Sequence, residues 1–319
     1  MTATTTHRLT GLEPDNLLAF LALLGLLRAL EAAGWRPRAH WAGLPLRPVL
    51  TLREAATPEQ VAEKAVEGCA ALALDFQFAK SGAFNFSKDR LRSFLKAAIN
   101  QGPPPGPPQG RGLDASLSSF VAEAVLGQNA KIGKHAFARS PLDCLGGGQS
   151  DLLSTLRDGL ALLDQGQFAA TALAKALFAV WTRGDDRKSL RWDQSDYRRH
   201  AYAAKAPTKD HARQEWGANL LAVIGSSLLL GCATTDGRGK PAFLVLNARM
   251  AHGSQVEVSW PIWLRPSSAT GIQALLAHPV TSEDRPDARI LARLGISCVY
   301  RAMKIWPTQY AVFTRAEVV

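Results

Sequence analysis

The 319-residue chain has only four cysteines, Cys69, Cys144, Cys232 and Cys298, with no close pair among them. That spacing excludes a Cys-x-x-Cys metal site and a dense disulfide framework; it suits a reducing cytoplasm, with the thiols acting as small buried hydrophobes. Long apolar runs are also missing. Leu17–Leu27, "LLAFLALLGLL", stops at Arg28, short of the roughly 18–20 residues that span a bilayer. Glu13 and Asp15 stand where a signal peptide would want Lys or Arg, so the run is expected to be a buried helix, with no membrane partner. There is no internal repeat at a fixed period.

Catalytic signatures are scarce too. The glycines of "LGGGQSDLLSTL" precede a helix, and free amides at Gly148, Gln149 and Ser150 can hold a phosphate there. The phosphate-loop lysine and the dinucleotide fingerprint are both missing, which leaves a capped turn or a nucleic-acid phosphate contact. Asp193, Asp196 and His200 can share a helical face as metal ligands, but arginines surround them. Aspartates that restrain those arginines are the simpler reading. Asp210-His211 reads as a solvated helix start. With no persuasive nucleophile–base pair, no enzymatic activity and no cofactor are expected.

What is present is positive charge. The 37 Lys and Arg outnumber 27 Asp and Glu, for a formal net charge of +10, a field that concentrates polyanions. The apolar fraction of 47% fits a folded globular chain, and its length allows two lobes. Three clusters hold much of the charge. Lys80, Lys88, Arg90, Arg92 and Lys96 lie near Phe84 and Phe86. Lys131, Lys134, His135 and Arg139 follow Gln128 and Asn129, in a stretch without an acidic residue. Residues 183–213 hold nine Lys and Arg against five Asp, including Arg187, Lys188, Arg191, Arg198 and Arg199. Cations at this density neutralise phosphates, and rings among them can stack on unpaired bases. Each cluster also has a plainer reading as a solvated face, and Trp192, Tyr197 and Tyr202 as anchors of a loop against the core.

The coarse organisation is α+β, with a helix-rich middle, a strand-containing N-terminal part and a mainly β C-terminal part. A first helix capped by Asp15 or Asn16 ends at Gly34, and one or two strands follow over 36–52. Thr57, Pro58 and Gln60 form a capping box for a second helix. Ser87 precedes a third, with an apolar stripe over Leu91, Phe94, Leu95 and Ile99. Five prolines within the six positions 103–108 make 101–112 a linker or loop between an N-terminal region, 1–100, and a C-terminal region, 113–319. Helices are expected over "LDASLSSFVAEAVLG", "SDLLSTLRDGLALLDQ", "FAATALAKALFAVW" and "RQEWGANLLAVIGSSLLLG". Strands are expected over "AFLVLNAR", "QVEVSWPIWL", "ISCVYRAMKIW" and "QYAVFTR", with a short helix at 268–277.

Four ordered stretches carry a family resemblance: "SLRWDQSDYRRHAYAAKAPT", "GANLLAVIGSSLLL", "VSWPIWLRP…IQALLAHP" and "LGISCVYRAMKIWPTQYAVFTR". With the leucine-rich opening, they resemble proteins encoded with type I CRISPR systems of subtype I-G, formerly I-U. The resemblance covers both ends and most of 187–315. It implies a large-subunit-like component of the Cascade effector, a crRNA-guided antiviral surveillance complex. Such subunits help read the protospacer-adjacent motif, hold the opened target DNA of the R-loop and present it to a separate helicase-nuclease. The implied partners are target DNA, crRNA through the complex, other Cascade subunits and the helicase-nuclease. Guide pairing supplies most of the sequence information in such systems. The basic residues named above are the candidate contacts. The competing expectations are an adaptor that recruits the helicase-nuclease through Trp260, Trp263 and Trp306, and a metal-dependent nuclease using Asp193, Asp196 and His200.

Overall fold

The computed structural model describes residues 4–73, 121–123, 137–144, 152–187, 189–196, 214–235, 241–250, 255–306 and 310–319. Their helices are α1 (Leu17–Ala32), α2 (Pro58–Ala73), α3 (Leu152–Leu160), α4 (Gln167–Phe178), α5 (Trp216–Ser226), α6 (Ala269–Ala277) and α7 (Ala288–Leu294). The strands are β1 (Thr5–Arg8), β2 (Arg38–Ala42), β3 (Arg47–Leu52), β4 (Val121–Glu123), β5 (Phe137–Arg139), β6 (Gly231–Thr235), β7 (Pro241–Val245), β8 (Ala248–Met250), β9 (Val256–Trp263), β10 (Ile296–Ile305), β11 (Val312–Phe313) and β12 (Glu317–Val318). The fold class is α+β, as expected.

Local chemistry explains the helix starts. The Asn16 side chain accepts from the Leu18 amide at 2.9 Å, giving one orphan donor of the first turn its partner. Thr57 and Gln60 make the reciprocal capping box: the Thr57 amide donates to Gln60 Oε1 at 2.9 Å and the Gln60 amide to Thr57 Oγ1 at 3.3 Å. All of α1 except Glu31 is buried. It crosses α5, which is buried along its whole length.

The crossing is close because both helices present glycine. A Cβ on Gly25 would stand 1.7 Å from the Leu221 carbonyl oxygen, and one on Gly225 2.1 Å from that of Leu21. α2 and α4 complete the helical layer.

The described strands form two larger sheets and two two-stranded ones. The order β1-β3-β2 is antiparallel throughout, and β11-β10-β9-β8 forms the larger sheet, with β12 beside β10. The two larger sheets are tied together where the Trp263 indole donates to the Ala39 carbonyl at 2.6 Å and Ala39 bridges Ser267. Trp41 meets Trp263 edge-on at 6.1 Å, and Phe20 stacks on Trp260 at 5.4 Å. The larger hydrophobic core runs from Leu9 through Cys69 and Leu142 to Ala316, and a smaller cluster gathers Val280, Leu291, Ile296 and Val299. Residues of 1–100 and of 113–319 both feed the larger one. Among the described residues, the larger core thus draws on both sides of the proline-rich stretch.

Other differences are local. The helix expected over "LDASLSSFVAEAVLG" contains β4, which pairs with β5 through Val121 and Arg139. Alanine and glutamate favour a helix there, but a ladder to a distant segment overrides that preference. β5 also ends the 131–139 stretch, which reads as a loop in sequence. α5 stops at Ser226, and the chain turns into β6 at Gly231. β1, α7 and β12 are additions with no counterpart in the sequence reading. The expected third helix, the proline-rich stretch and the glycines before α3 lie outside the described residues.

Candidate nucleic-acid interface

The arginine-tryptophan-aspartate stretch is mounted on the core by its apolar and acidic members. Leu190 and Trp192 are buried, and the Trp192 indole donates to the Leu142 carbonyl at 2.8 Å. The Trp192 carbonyl accepts from the Leu18 amide. Asp193, also buried, accepts from Arg183 Nε at 2.7 Å, Asn16 Nδ2 at 3.0 Å and the Ser195 amide at 3.0 Å. Upstream, Asp185 and Gln214 exchange backbone hydrogen bonds, and Gln214 Nε2 donates to the Arg187 carbonyl at 2.8 Å.

These anchors leave Arg191 projecting between two buried neighbours. Its backbone is left-handed, with φ 62°, a conformation non-glycine residues adopt at a cost of roughly 1–3 kcal/mol and one concentrated at functional positions. The Ser189 hydroxyl accepts its amide at 2.9 Å. The guanidinium lies 4.3 Å from the centre of the Tyr310 ring, and among the described residues no carboxylate pairs with it.

Tyr310 belongs to the connection between β10 and β11, whose register pairs Lys304 with Phe313 and Ile305 with Val312. Trp306 stands at the other side of that connection, 57% exposed, with the Lys304 ammonium 5.4 Å from its ring centre. Lys304 also donates to the Asp143 carbonyl at 2.7 Å, and the Ala311 amide to the Cys144 carbonyl. The 140–144 turn, which directly follows Arg139, is thereby fastened to the same hairpin. Two cation–ring pairs thus flank one hairpin mouth. The Arg191–Tyr310 pair, at a part-exposed site, is worth about 0.5–1 kcal/mol, weak enough to be exchanged for a base stacked on the ring and a phosphate beside the cation; Lys304 is buried, and its ammonium serves the Asp143 carbonyl.

Arg187 is held differently. It pairs with Asp185 at 2.9 Å and lies 5.2 Å from the Phe168 ring centre and 5.8 Å from that of Trp216. Its side chain is committed to intramolecular partners. Other arginines are likewise paired: Arg249 with Glu257 and Asp284, Arg301 with Glu257 at 3.7 Å, and Arg315 with Asp15.

Charge bookkeeping sharpens the contrast. Of the 37 Lys and Arg, 16 lie outside the described residues, against 6 of the 27 Asp and Glu. The described scaffold is therefore neutral, and the surplus of +10 falls wholly on the remaining segments.

Of the residues singled out from sequence, Arg191 reaches the hairpin mouth, and Arg139 closes β5 one residue before the turn fastened to it. Arg187 is placed on another ring pair. Lys80, Lys88, Arg90, Arg92, Gln128, Asn129, Lys131, Lys134, Lys188, Arg198 and Arg199 lie outside the described residues, as do Tyr197, His200 and Tyr202. Trp260 and Trp263 are corrected as surface candidates: both are fully buried on β9. No group of three or more metal-binding side chains occurs among the described residues, and both Asp193 oxygens already serve Arg183 or Asn16. Sequence reasoning missed Tyr310 and Lys304, although "KIWPTQY" places a cation, a ring, a proline and a second ring in order. No helix among the described residues is long and apolar enough to cross a membrane. Neither a scan against protein-family models nor a search of curated proteins gives a match.

Proposed function

We propose that the chain is a non-catalytic, nucleic-acid-binding, large-subunit-like component of a crRNA-guided type I CRISPR surveillance complex, helping to recognise the protospacer-adjacent motif and to stabilise the opened target DNA. The observation that carries the binding reading is the hairpin mouth, where the Arg191 guanidinium over Tyr310 and the exposed Trp306 ring offer a cation and two rings together. An unpaired strand needs that combination, because its bases have faces to stack and its phosphates need neutralising. The charge surplus and the ordered resemblance over 187–315 support the same reading. Both oxygens of buried Asp193 hold the loop that presents Arg191 rather than face outward, which favours binding over metal-dependent cleavage.

The test uses the full chain co-purified with the products of its neighbouring genes. crRNA should accompany the complex. A fluorescent single strand should bind at least tenfold more weakly when Arg191→Glu and Trp306→Ala are combined, with the melting temperature unchanged. Equal affinity would remove the hairpin mouth from the interface, and a complex without crRNA would remove the effector assignment.

A second reading, recruitment of the helicase-nuclease, is favoured by the exposure of Trp306, since tryptophan is enriched at protein hot spots. In that case Trp306→Ala abolishes co-purification with the helicase-nuclease and leaves strand affinity intact.

A further inference from the structure

The outer face of the β1-β3-β2 sheet is a second cationic surface, built from residues that no basic cluster in the sequence announces. Register sets its composition. Arg8, Val49 and His40 stand side by side in one row, and Thr6, Thr51 and Arg38 in the next. Alternate residues Ala39, Trp41, Leu50 and Leu52 turn inward and are buried. Just past the strand ends, exposed Arg36 and Arg53 continue the outward alternation. The three strands contain no Asp or Glu.

The arginines on this face differ in how far they are committed. Arg47 donates to the Thr10 and Leu46 carbonyls and lies 3.4 Å from Glu13. Arg8 donates to the Pro45 carbonyl, beside Gly43, whose φ of +81° and contact with the guanidinium leave no room for a side chain. Among the described residues, no carboxylate lies within ion-pair distance of Arg8, Arg36, Arg38 or Arg53. Same-face neighbours along a strand are separated by about 6.8 Å and adjacent strands by about 4.8 Å. The array is therefore dense, and its buried inner face fastens it to the core through Trp41 and the Trp263–Ala39 hydrogen bond.

We propose that this face grips the sugar–phosphate backbone of duplex DNA. The inference shares with the preceding section the reading of the chain as a nucleic-acid-binding protein, but it concerns a different surface. Arginine forks and threonine hydroxyls are phosphate donors. The face carries no Phe, Tyr or Trp, so an unpaired strand would find no broad ring on which to stack. A duplex keeps its bases stacked within itself and presents phosphates alone. The binding is therefore independent of sequence and steeply dependent on salt, and it complements the ring-bearing hairpin mouth, which suits an unpaired strand.

The experiment titrates the full chain with a fluorescent duplex of random sequence and with a single strand of equal length, between 50 and 200 mM KCl. Replacing three phosphate contacts, Arg36→Gln, Arg38→Gln and Arg53→Gln together, should weaken duplex binding for every sequence and make the slope of log K against log salt shallower by about 2.7. The corresponding triple Lys variant should restore the slope, which separates lost charge from lost fold. Arg191→Glu with Trp306→Ala should lower single-strand affinity and leave the duplex slope unchanged; failure of that arm alone counts against the hairpin mouth, not the sheet. The proposal is overturned if the wild-type chain does not bind the duplex, or if the triple Gln variant keeps the wild-type slope. It is also overturned if that variant loses only single-strand binding, or loses binding to polyglutamate while keeping the duplex, which would mark an acidic protein as the occupant.

Discussion

Asn16, the cap of the first helix, donates its side-chain amide to buried Asp193 at 3.0 Å across 177 positions of sequence. The same carboxylate holds Arg183 and the Ser195 amide, so the start of α1 and the loop that presents Arg191 are one structural unit. Asp193→Ala removes the acceptor of all three partners and leaves a buried amide donor without one. We expect a loss of about 2–3 kcal/mol, read as a lower urea midpoint, together with weaker single-strand binding because Arg191 loses its support.

The crossing of α1 and α5 should be intolerant of a single methyl group. In Gly25→Ala and Gly225→Ala the new Cβ meets backbone carbonyl oxygens of the facing helix, and backbone cannot rotate away as a side chain can. Each substitution is expected to cost about 3 kcal/mol or more, measured by urea unfolding, and the double variant should cost less than the sum because one separation of the helices relieves both contacts.

Arg191 carries backbone strain as well as charge. Arg191→Gly suits φ 62° but frees the unfolded chain, and the two effects offset, so stability should stay within about 1 kcal/mol of wild type. Single-strand affinity should nevertheless fall, as measured by anisotropy. A matching fall in both quantities would instead make Arg191 a structural residue.

Burial holds the His40 imidazole below its ordinary value near 6.5, favouring the neutral ring in the folded protein. The unfolded chain then takes up this proton more readily than the folded one. The contribution of His40 to stability is fully present above the unfolded value and is lost as pH falls through 6.5 toward the lower folded value. Urea midpoints at pH 7.5 and 5.0 should therefore diverge more for the wild-type chain than for His40→Val.

Burial also pushes the Cys69 thiol up to about 12, which keeps the thiolate scarce. Iodoacetamide at pH 8 should leave Cys69 unmodified in the native chain and label it rapidly in urea, as peptide mass spectrometry can read. Cys298, half-buried and raised by the same cause, should react at an intermediate rate.

Local chemistry made the helix boundaries legible. Asn16, and Thr57 with Gln60, cap where their side chains dictate, because a cap depends on groups within four residues. The all-round apolar run of α1 likewise announced a buried helix. Prolines that break the helical period, together with β-favouring residues, marked 36–52 as strands. The same signals did not reveal β4, where pairing with β5 outweighs helix-favouring residues.

The sequence by itself determined where the first two helices begin, which helices are apolar on every side, and that cations exceed carboxylates. Only the tertiary structure decided that Trp260 and Trp263 are core while Trp306 is exposed, that Asp193 serves Arg183 and Asn16, and that Arg8 and Arg38 share one sheet face. The physical reason is range: caps and side-chain periodicity act over a few residues, whereas exposure, ion pairing and strand register depend on partners brought together from dozens or hundreds of positions away.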